Sequence, residues 1–325
     1  MRAIQNTAYN NPLESLRLVD LPDPPKPGPD EVLITMEYAP INGNDLGVIT
    51  NRFVFGTPLP SIVGNEGVGR VLEVGPNVSN VKVGDRVLPP LYALTWRERL
   101  TIPAKDLFAL PSDVDSQQLA MLRINPPTAV LLLERFVDLN KGDWVVQNAG
   151  NSGIGRTVIA LAKKRGVRTI SFVRRAELVK ELREAGGDVV LVDGPGAVEK
   201  AKAATGSGDV RLAIDGLSGA SAVRLIGVLS QNGTLVSYAS SSGEQLIPIN
   251  AMDLYVRGIV VRGIYQDLPE YKPHIQQAIK VSAELMASGE LHVPVAGVYR
   301  MADFQKAVAH ATKGAKVLLD LRSAS

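Results

Sequence analysis

Asp143 to Arg175 reads DWVVQNAGNSGIGRTVIALAKKRGVRTISFVRR, and this stretch decides the fold. Its opening apolar run, Trp144 to Val146, suits a buried strand. A glycine-bearing turn follows, Gly150-Asn151-Ser152-Gly153-Ile154-Gly155. Val158, Leu161 and Ala162 then recur at helical spacing until Gly166 closes the helix. A second apolar run, Thr169 to Val173, ends at Arg174-Arg175. Strand, glycine turn, helix and strand within about 30 residues form the unit that binds a dinucleotide. Its glycines let the backbone approach a pyrophosphate, whose charge sits on the free N–H groups of the helix start. Ser152 replaces the middle glycine of the GxGxxG frame, so the turn by itself also suits tight packing in any parallel α/β protein.

The end of the second strand refines the cofactor. A site for NAD usually carries an acid about 20 residues on, where it binds the ribose 2′-hydroxyl. No acid stands between Asp143 and Glu177. Arg174 and Arg175 occupy that place, and a guanidinium fork matches a 2′-phosphate. The residues point to NADPH, although two solvated arginines at a strand end would read the same.

The chain has 325 residues, enough for two domains with separate cores. A net charge of +2 and the lack of a dense basic block argue against a nucleic-acid surface. Without cysteine there is no disulfide, thiol nucleophile or cysteine-ligated zinc. No signal-peptide core and no long apolar span is present, so the expectation is a cytoplasmic protein without a membrane partner.

Residues 1–122 read as β-rich, with candidate strands at Leu16 to Val19, Val32 to Tyr38, Val68 to Val74 and Arg86 to Leu88. The proline-rich stretch from Pro22 to Pro29 is an exposed connection. A helix is predicted from Thr128 to Asp138, after Pro126-Pro127. Beyond the quoted unit, strand and helix alternate: Ala176 to Glu184, Val189 to Val192, Leu212 to Ile214, Leu235 to Tyr238 and Ile259 to Ile264. That order means a parallel sheet covered on both faces. A helix at Lys272 to Met286 precedes strands at Val293 to Tyr299 and Val317 to Leu321. The expected fold class is α/β: a doubly wound Rossmann domain over 123–266, and a β-rich barrel domain made discontinuously from 1–122 and 267–325.

Ala39-Pro-Ile-Asn-Gly-Asn-Asp45, Gly64-Asn-Glu-Gly67, Val83-Gly-Asp85 and Asn125-Pro-Pro-Thr-Ala129, with the glycine turn, resemble the medium-chain dehydrogenase/reductase superfamily. The similarity spans essentially the whole chain and is greatest to its zinc-free 2-enoyl thioester reductases, with quinone oxidoreductases next. It implies a GroES-like first domain, NADPH as cofactor, a small-molecule substrate and a homodimer joined through the strand at Ile259 to Ile264. It also implies cofactor contacts at Asn125, Asn151, Ser152, Gly153 and Ile154, around Arg174, Arg175 and Ala176, and along Tyr238, Ala239, Ser240 and Ser241. Ile264, Tyr265, Gln266 and Lys316 close that set. Asn42, Phe53 and Trp96 fall at substrate-pocket positions, although a simply buried tryptophan accounts for Trp96 equally well.

Two departures bear on chemistry. The superfamily's zinc alcohol dehydrogenases place a cysteine near Asn42 and a histidine where this chain has Asn65. The three histidines, His274, His292 and His310, lie elsewhere, so no metal is expected. Phe53 stands where the enoyl reductases carry a proton-donating tyrosine, and phenylalanine has no proton to give. The expected function is therefore NADPH-dependent reduction of an activated C=C bond. Quinone reduction is the alternative enzyme activity, and a catalytically silent NADPH-binding protein is the non-enzyme alternative.

Overall fold

A computed structural model describes residues 1–52, 58–206 and 208–322. It divides into two compact units, one of residues 1–124 with 286–325 and one of residues 125–285.

In the second unit a six-stranded sheet carries its strands in the order Val189–Val192, Arg168–Val173, Trp144–Gln147, Val210–Asp215, Thr234–Ser237 and Val260–Gly263. Every neighbouring pair is parallel. Numbered along the chain, that order is 3-2-1-4-5-6, the doubly wound arrangement of a dinucleotide-binding domain. Apolar side chains leave both faces, as a sheet with helices on each side demands. Val146, Ile170, Phe172, Ala213 and Leu235 enter one buried cluster with Leu225 and Ile226. Val173 and Val190 enter another, with Ile159 and Leu182. Burying a side chain such as Phe172, which has no exposed surface, contributes roughly 1.5–3 kcal/mol.

The helix expected after Pro126-Pro127 begins earlier, at Asn125, and ends at Glu134. Both prolines fit its first turn, where no intrahelical N–H bond is lost. Helices at Ala197–Thr205 and Gly219–Val228 escaped the sequence reading. Both are short, and alanine, glycine and serine fill much of them. The division near the C-terminus falls between Leu285 and Met286 rather than at 266/267. Helix Lys272–Ala287 therefore groups with the nucleotide unit. The expectation had used the end of the last parallel strand as the boundary.

In the first unit a seven-stranded sheet is built around the long strand Glu31–Ile41. This strand pairs antiparallel with Val68–Val74, Arg99–Pro103 and Val317–Asp320. Register shifts at Leu33/Ile34 and Met36/Tyr38 bend it, as bulges do. A small sheet of Leu16–Asp20, Arg2–Asn6 and Ser61–Ile62 accompanies it. The strand expected from Val293 begins only at Gly297. In place of sheet pairing, Val293 exchanges bonds with Gln118, whose side chain donates to its carbonyl and accepts from its N–H.

Candidate functional site

The carboxyl end of the parallel sheet gathers most of the expected cofactor residues. Trp144–Gln147 runs into a turn in which Ala149 takes a left-handed φ of 48° and Ser152 N–H donates to Ala149 O at 2.8 Å. Helix Gly153–Arg165 starts there, with Ser152 as its N-cap accepting from Gly155 N–H at 3.1 Å. The N–H groups of Gly153 and Ile154 have no intrahelical acceptor by position, so they are the donors an anion would use. A Cβ on Gly155 would lie 2.5 Å from Gly150 O, and one on Gly150 would lie 2.8 Å from Ser171 Cβ. The glycines are there for close approach of turn, helix and strand. Ser152 costs the motif nothing, because a serine at that position caps the helix.

Asn125 packs its amide on Gly153, where an added Cβ would come within 2.7 Å of Asn125 Nδ2. Tyr238, just past strand Thr234–Ser237, lays its ring against Gly216 and shares a hydrogen bond with the Ser152 side chain. Burial pushes the Tyr238 hydroxyl up to about 12, against the lowering influence of that bond, so it stays protonated. Ser241 N–H donates to Gly216 O at 3.0 Å, which draws Ala239, Ser240 and Ser241 to the same end of the sheet. Ile264 and Gln266 are buried past the edge strand, and Ile264 N–H donates to Ser237 O. Tyr265 is 38% exposed. Arg174, Arg175 and Ala176 follow the second strand in solvent. Arg175 pairs with Glu177 at 3.2 Å, whereas Arg174 has no ion pair among the described residues.

Sequence reasoning missed the network beneath these residues. Asn148 Nδ2 donates to Asp215 at 2.7 Å and to Ser221 at 3.0 Å, while its Oδ1 accepts from Gly216 N–H at 2.8 Å. Asp215 also accepts from Leu217 N–H, Ser218 N–H and the Ser237 hydroxyl. Ser221 in turn donates to Asp193, which pairs with Arg224. The available signal was a polar residue directly after each apolar strand, Asn148 and Asp215.

The first unit holds a second polar cluster. Helix Gly43–Ile49 starts at Asn42, whose backbone N–H donates to Asp45 Oδ2 at 2.7 Å. Asp45 Oδ1 accepts from Asn65 N–H at 2.9 Å. Asn42 Nδ2 donates to Glu66 at 2.7 Å, and Lys316 Nζ donates to Asn42 Oδ1. Glu66 is wholly buried and also accepts from Arg123 N–H and Ile124 N–H. Burial lifts the Asp45 carboxyl to about 7, against its two backbone bonds, and raises Glu66 as well. Burial lowers Lys316, while Glu66 and Asp45 act against that fall. Sequence motifs pointed to Asn42, Asp45 and Lys316 separately, but gave no sign that they touch.

Trp96 has no exposed surface and belongs to the core of the first unit. Phe53 lies outside the described residues.

Residues 28–111 match the alcohol dehydrogenase GroES-like domain, and residues 153–284 match the zinc-binding dehydrogenase family. Over 318 residues the chain is 35% identical to a mitochondrial enoyl-[acyl-carrier-protein] reductase of Caenorhabditis elegans, covering 94% of this chain and 90% of that one. The mitochondrial 2-enoyl thioester reductase heterodimer of Candida tropicalis is similar in structure, with a TM-score of 0.87 and 25% identity over 98% and 99% of the two chains. Escherichia coli quinone oxidoreductase complexed with NADPH has a TM-score of 0.86 at 25% identity, over 98% and 100%. The chain therefore belongs to the medium-chain dehydrogenase/reductase superfamily, as the sequence motifs implied.

Proposed function

We propose that this protein is an NADPH-dependent oxidoreductase that reduces the C=C bond of a 2-enoyl thioester or enone without zinc. The observation that carries this reading is its 35% identity, over nearly the whole chain, to a protein named enoyl-[acyl-carrier-protein] reductase. The second unit fits the cofactor: free N–H groups at a helix start, glycines at close approach, and at the end of the second strand an exposed guanidinium with no ion pair among the described residues.

The reduced nicotinamide supplies the hydride. Gly153 and Ile154 N–H would hold the pyrophosphate, Arg174 with Arg175 and Ala176 the 2′-phosphate, and Asn125 the nicotinamide side. Tyr238 to Ser241 and Ile264 to Gln266 complete this proposed set. Tyr238 has to release Ser152 if the pyrophosphate is to reach that N-cap. Asn42 and Asn65 are amides, poor ligands for zinc, where the alcohol dehydrogenases use thiolate and imidazole.

A homodimer is part of the proposal. Strand Val260–Gly263 is the edge of its sheet and largely exposed. Beside it in sequence, Met252, Leu254, Tyr255 and Val256 expose 45–71% of their surface. An open apolar edge invites pairing with a second copy. Among the described residues no helix is long and apolar enough to cross a membrane. Our reading of residence stays cytoplasmic, although the relatives are named mitochondrial; cell fractionation decides between them.

Quinone reduction is the second reading. Phe53 favours it, since a quinone needs no proton donor placed for an α-carbon. Oxidation of NADPH with crotonyl thioesters, simple enones and quinones separates the two. Tight NADPH binding with no turnover of any acceptor would instead leave a silent binding protein.

A further inference from the structure

The two turns that would hold the phosphates of the cofactor belong to different elements. Gly150 to Gly155 follow the first parallel strand, and Arg174 to Ala176 follow the second. Each turn runs into its own helix, Gly153–Arg165 and Leu178–Glu184. One side chain reaches across that division. Arg156, in the first turn of helix Gly153–Arg165, donates from Nε to Asn151 O at 3.3 Å, and its Nη2 pairs with Glu181 of the other helix. Asn151 is the residue just before the Ser152 N-cap.

Burial sets this pair apart from an ordinary surface ion pair. The Arg156 side chain is only 9% exposed, whereas that of Glu181 is 44% exposed. A guanidinium withdrawn from water has to keep its partners, because losing one leaves a buried charge uncompensated. Its planar fork also holds two acceptors in fixed directions at once. Here those acceptors are a carbonyl of the glycine turn and a carboxylate of the next helix. Apolar packing extends the contact: Ile159, about one turn further along from Arg156, shares a buried cluster with Leu182, the neighbour of Glu181. Leu182 reaches the glycine turn as well, since a Cβ on Gly150 would lie 3.5 Å from its Cδ1.

Such a strut matters to a ligand that engages both turns. A second contact adds to affinity only while the two sites keep the spacing that the ligand offers. Fixed spacing also removes an ordering cost that binding would otherwise have to meet. We propose that Arg156 and Glu181 are positioning residues that hold the pyrophosphate turn and the 2′-phosphate turn at a set distance, and so set the preference for NADPH over NADH. In this role neither side chain touches the cofactor. The role rests on the NADPH reading above. A ligand that uses one turn is indifferent to the strut, and a ligand that uses both is not.

The test is calorimetric titration of NADPH, NADH and adenosine 2′-monophosphate into wild type, Glu181→Ala, Glu181→Gln, Arg156→Met and the double variant. Melting temperatures check each fold. Glu181→Ala is expected to weaken NADPH about three- to tenfold. NADH and adenosine 2′-monophosphate, each engaging one turn, change by less than about twofold. Glu181→Gln keeps an acceptor of the same length and recovers most of the loss. Adding Glu181→Ala to Arg156→Met weakens NADPH no further, because the pair acts as one unit.

A preference for NADPH that survives Glu181→Ala intact overturns the strut and leaves the cofactor reading in place. Equal losses for NADPH and NADH overturn it too, since they mark damage to the pyrophosphate turn or a direct contact with the pyrophosphate. Wild type that binds NADH as tightly as NADPH overturns the cofactor reading, and the strut with it. Glu181 is partly exposed, so its variants decide the matter even if Arg156→Met does not fold.

Discussion

Asn148 and Asp215 are joined by a 2.7 Å hydrogen bond across the point where the strand order of the parallel sheet reverses. Each caps the carboxyl end of its strand, and neither has more than 1% of its surface exposed. Brought together, they fix the floor of the crevice in which doubly wound sheets bind their ligands.

Asn148→Asp sets a second carboxyl against Asp215 and removes the donor that Asp215 and Ser221 share. One buried charge then lacks compensation, at a cost of roughly 3–5 kcal/mol at neutral pH. Two facing carboxylates raise each other's pKa. The raised group is charged in the unfolded chain before it is charged in the fold, so the loss of stability shrinks as pH falls. Melting curves of wild type and variant at several pH values check this; a gap that does not narrow on acidification would refute it.

Gly155→Ala should separate binding from folding. Its Cβ falls 2.5 Å from Gly150 O, a backbone atom that cannot swing aside. Turn and helix start must shift apart, costing about 1–3 kcal/mol of stability. The N–H groups that would hold a pyrophosphate move with them. Calorimetric titration is expected to show NADPH bound about tenfold or more weakly.

Arg174 is exposed and has no ion pair among the described residues. A charge-assisted contact with a 2′-phosphate is typically worth about 1.5–3 kcal/mol. Arg174→Ala is therefore expected to weaken NADPH binding roughly 10–150-fold and to leave NADH almost unchanged. Equal affinity of wild type for the two cofactors would exclude this role for Arg174.

Asp45 makes stability depend on pH. Its carboxyl rises from 3.8 to about 7 because burial penalises the charged form more than its backbone bonds favour it. With the folded pKa above the unfolded one, its contribution is complete below pH 3.8 and is lost as pH rises to about 7. Asp45→Asn removes that slope. The variant is also expected to be less stable throughout, by about 1–2 kcal/mol, because an amide cannot accept well from both Asn42 N–H and Asn65 N–H. Chemical denaturation of both proteins between pH 4 and 8 measures slope and offset together.

Phe53→Tyr tests the position at which this chain departs from the enoyl reductases. If the aligned position holds, the added hydroxyl supplies a general acid, typically worth about 10²–10⁴-fold in rate. The expected result is a higher kcat toward enoyl thioesters with quinone reduction little changed. An unaltered enoyl rate in a variant with wild-type melting temperature would remove Phe53 from the donor position.

Much of the second unit was legible because its signals are local. Trp144 to Val146, the glycine turn, Gly166 and the run to Val173 each report on neighbours a few residues away. The resulting elements, Trp144–Gln147, Gly153–Arg165 and Arg168–Val173, lie within a residue of those signals at most of their ends. Gly219–Val228 shows the limit. This helix has only 10 residues and opens on small ones, and only the finished sheet shows which face they cover.

The clusters that matter for chemistry were decided by tertiary structure alone. Asn148 and Asp215 are 67 residues apart, and Asn42 and Lys316 are 274 apart. No periodicity links such positions. They meet because strand order and register bring separate chain ends together: Val317–Asp320 pairs with Glu31–Ile41 so that Val317 lies opposite Ile41. Lys316 and Asn42 flank that pair, and the hydrogen bond between ammonium and amide follows from the pairing. The sequence by itself determined which residue types were available and the class of fold they would form. Which acid each amide would face, and how far each pKa would move, depended on burial and distance, which exist only once the chain has closed on itself.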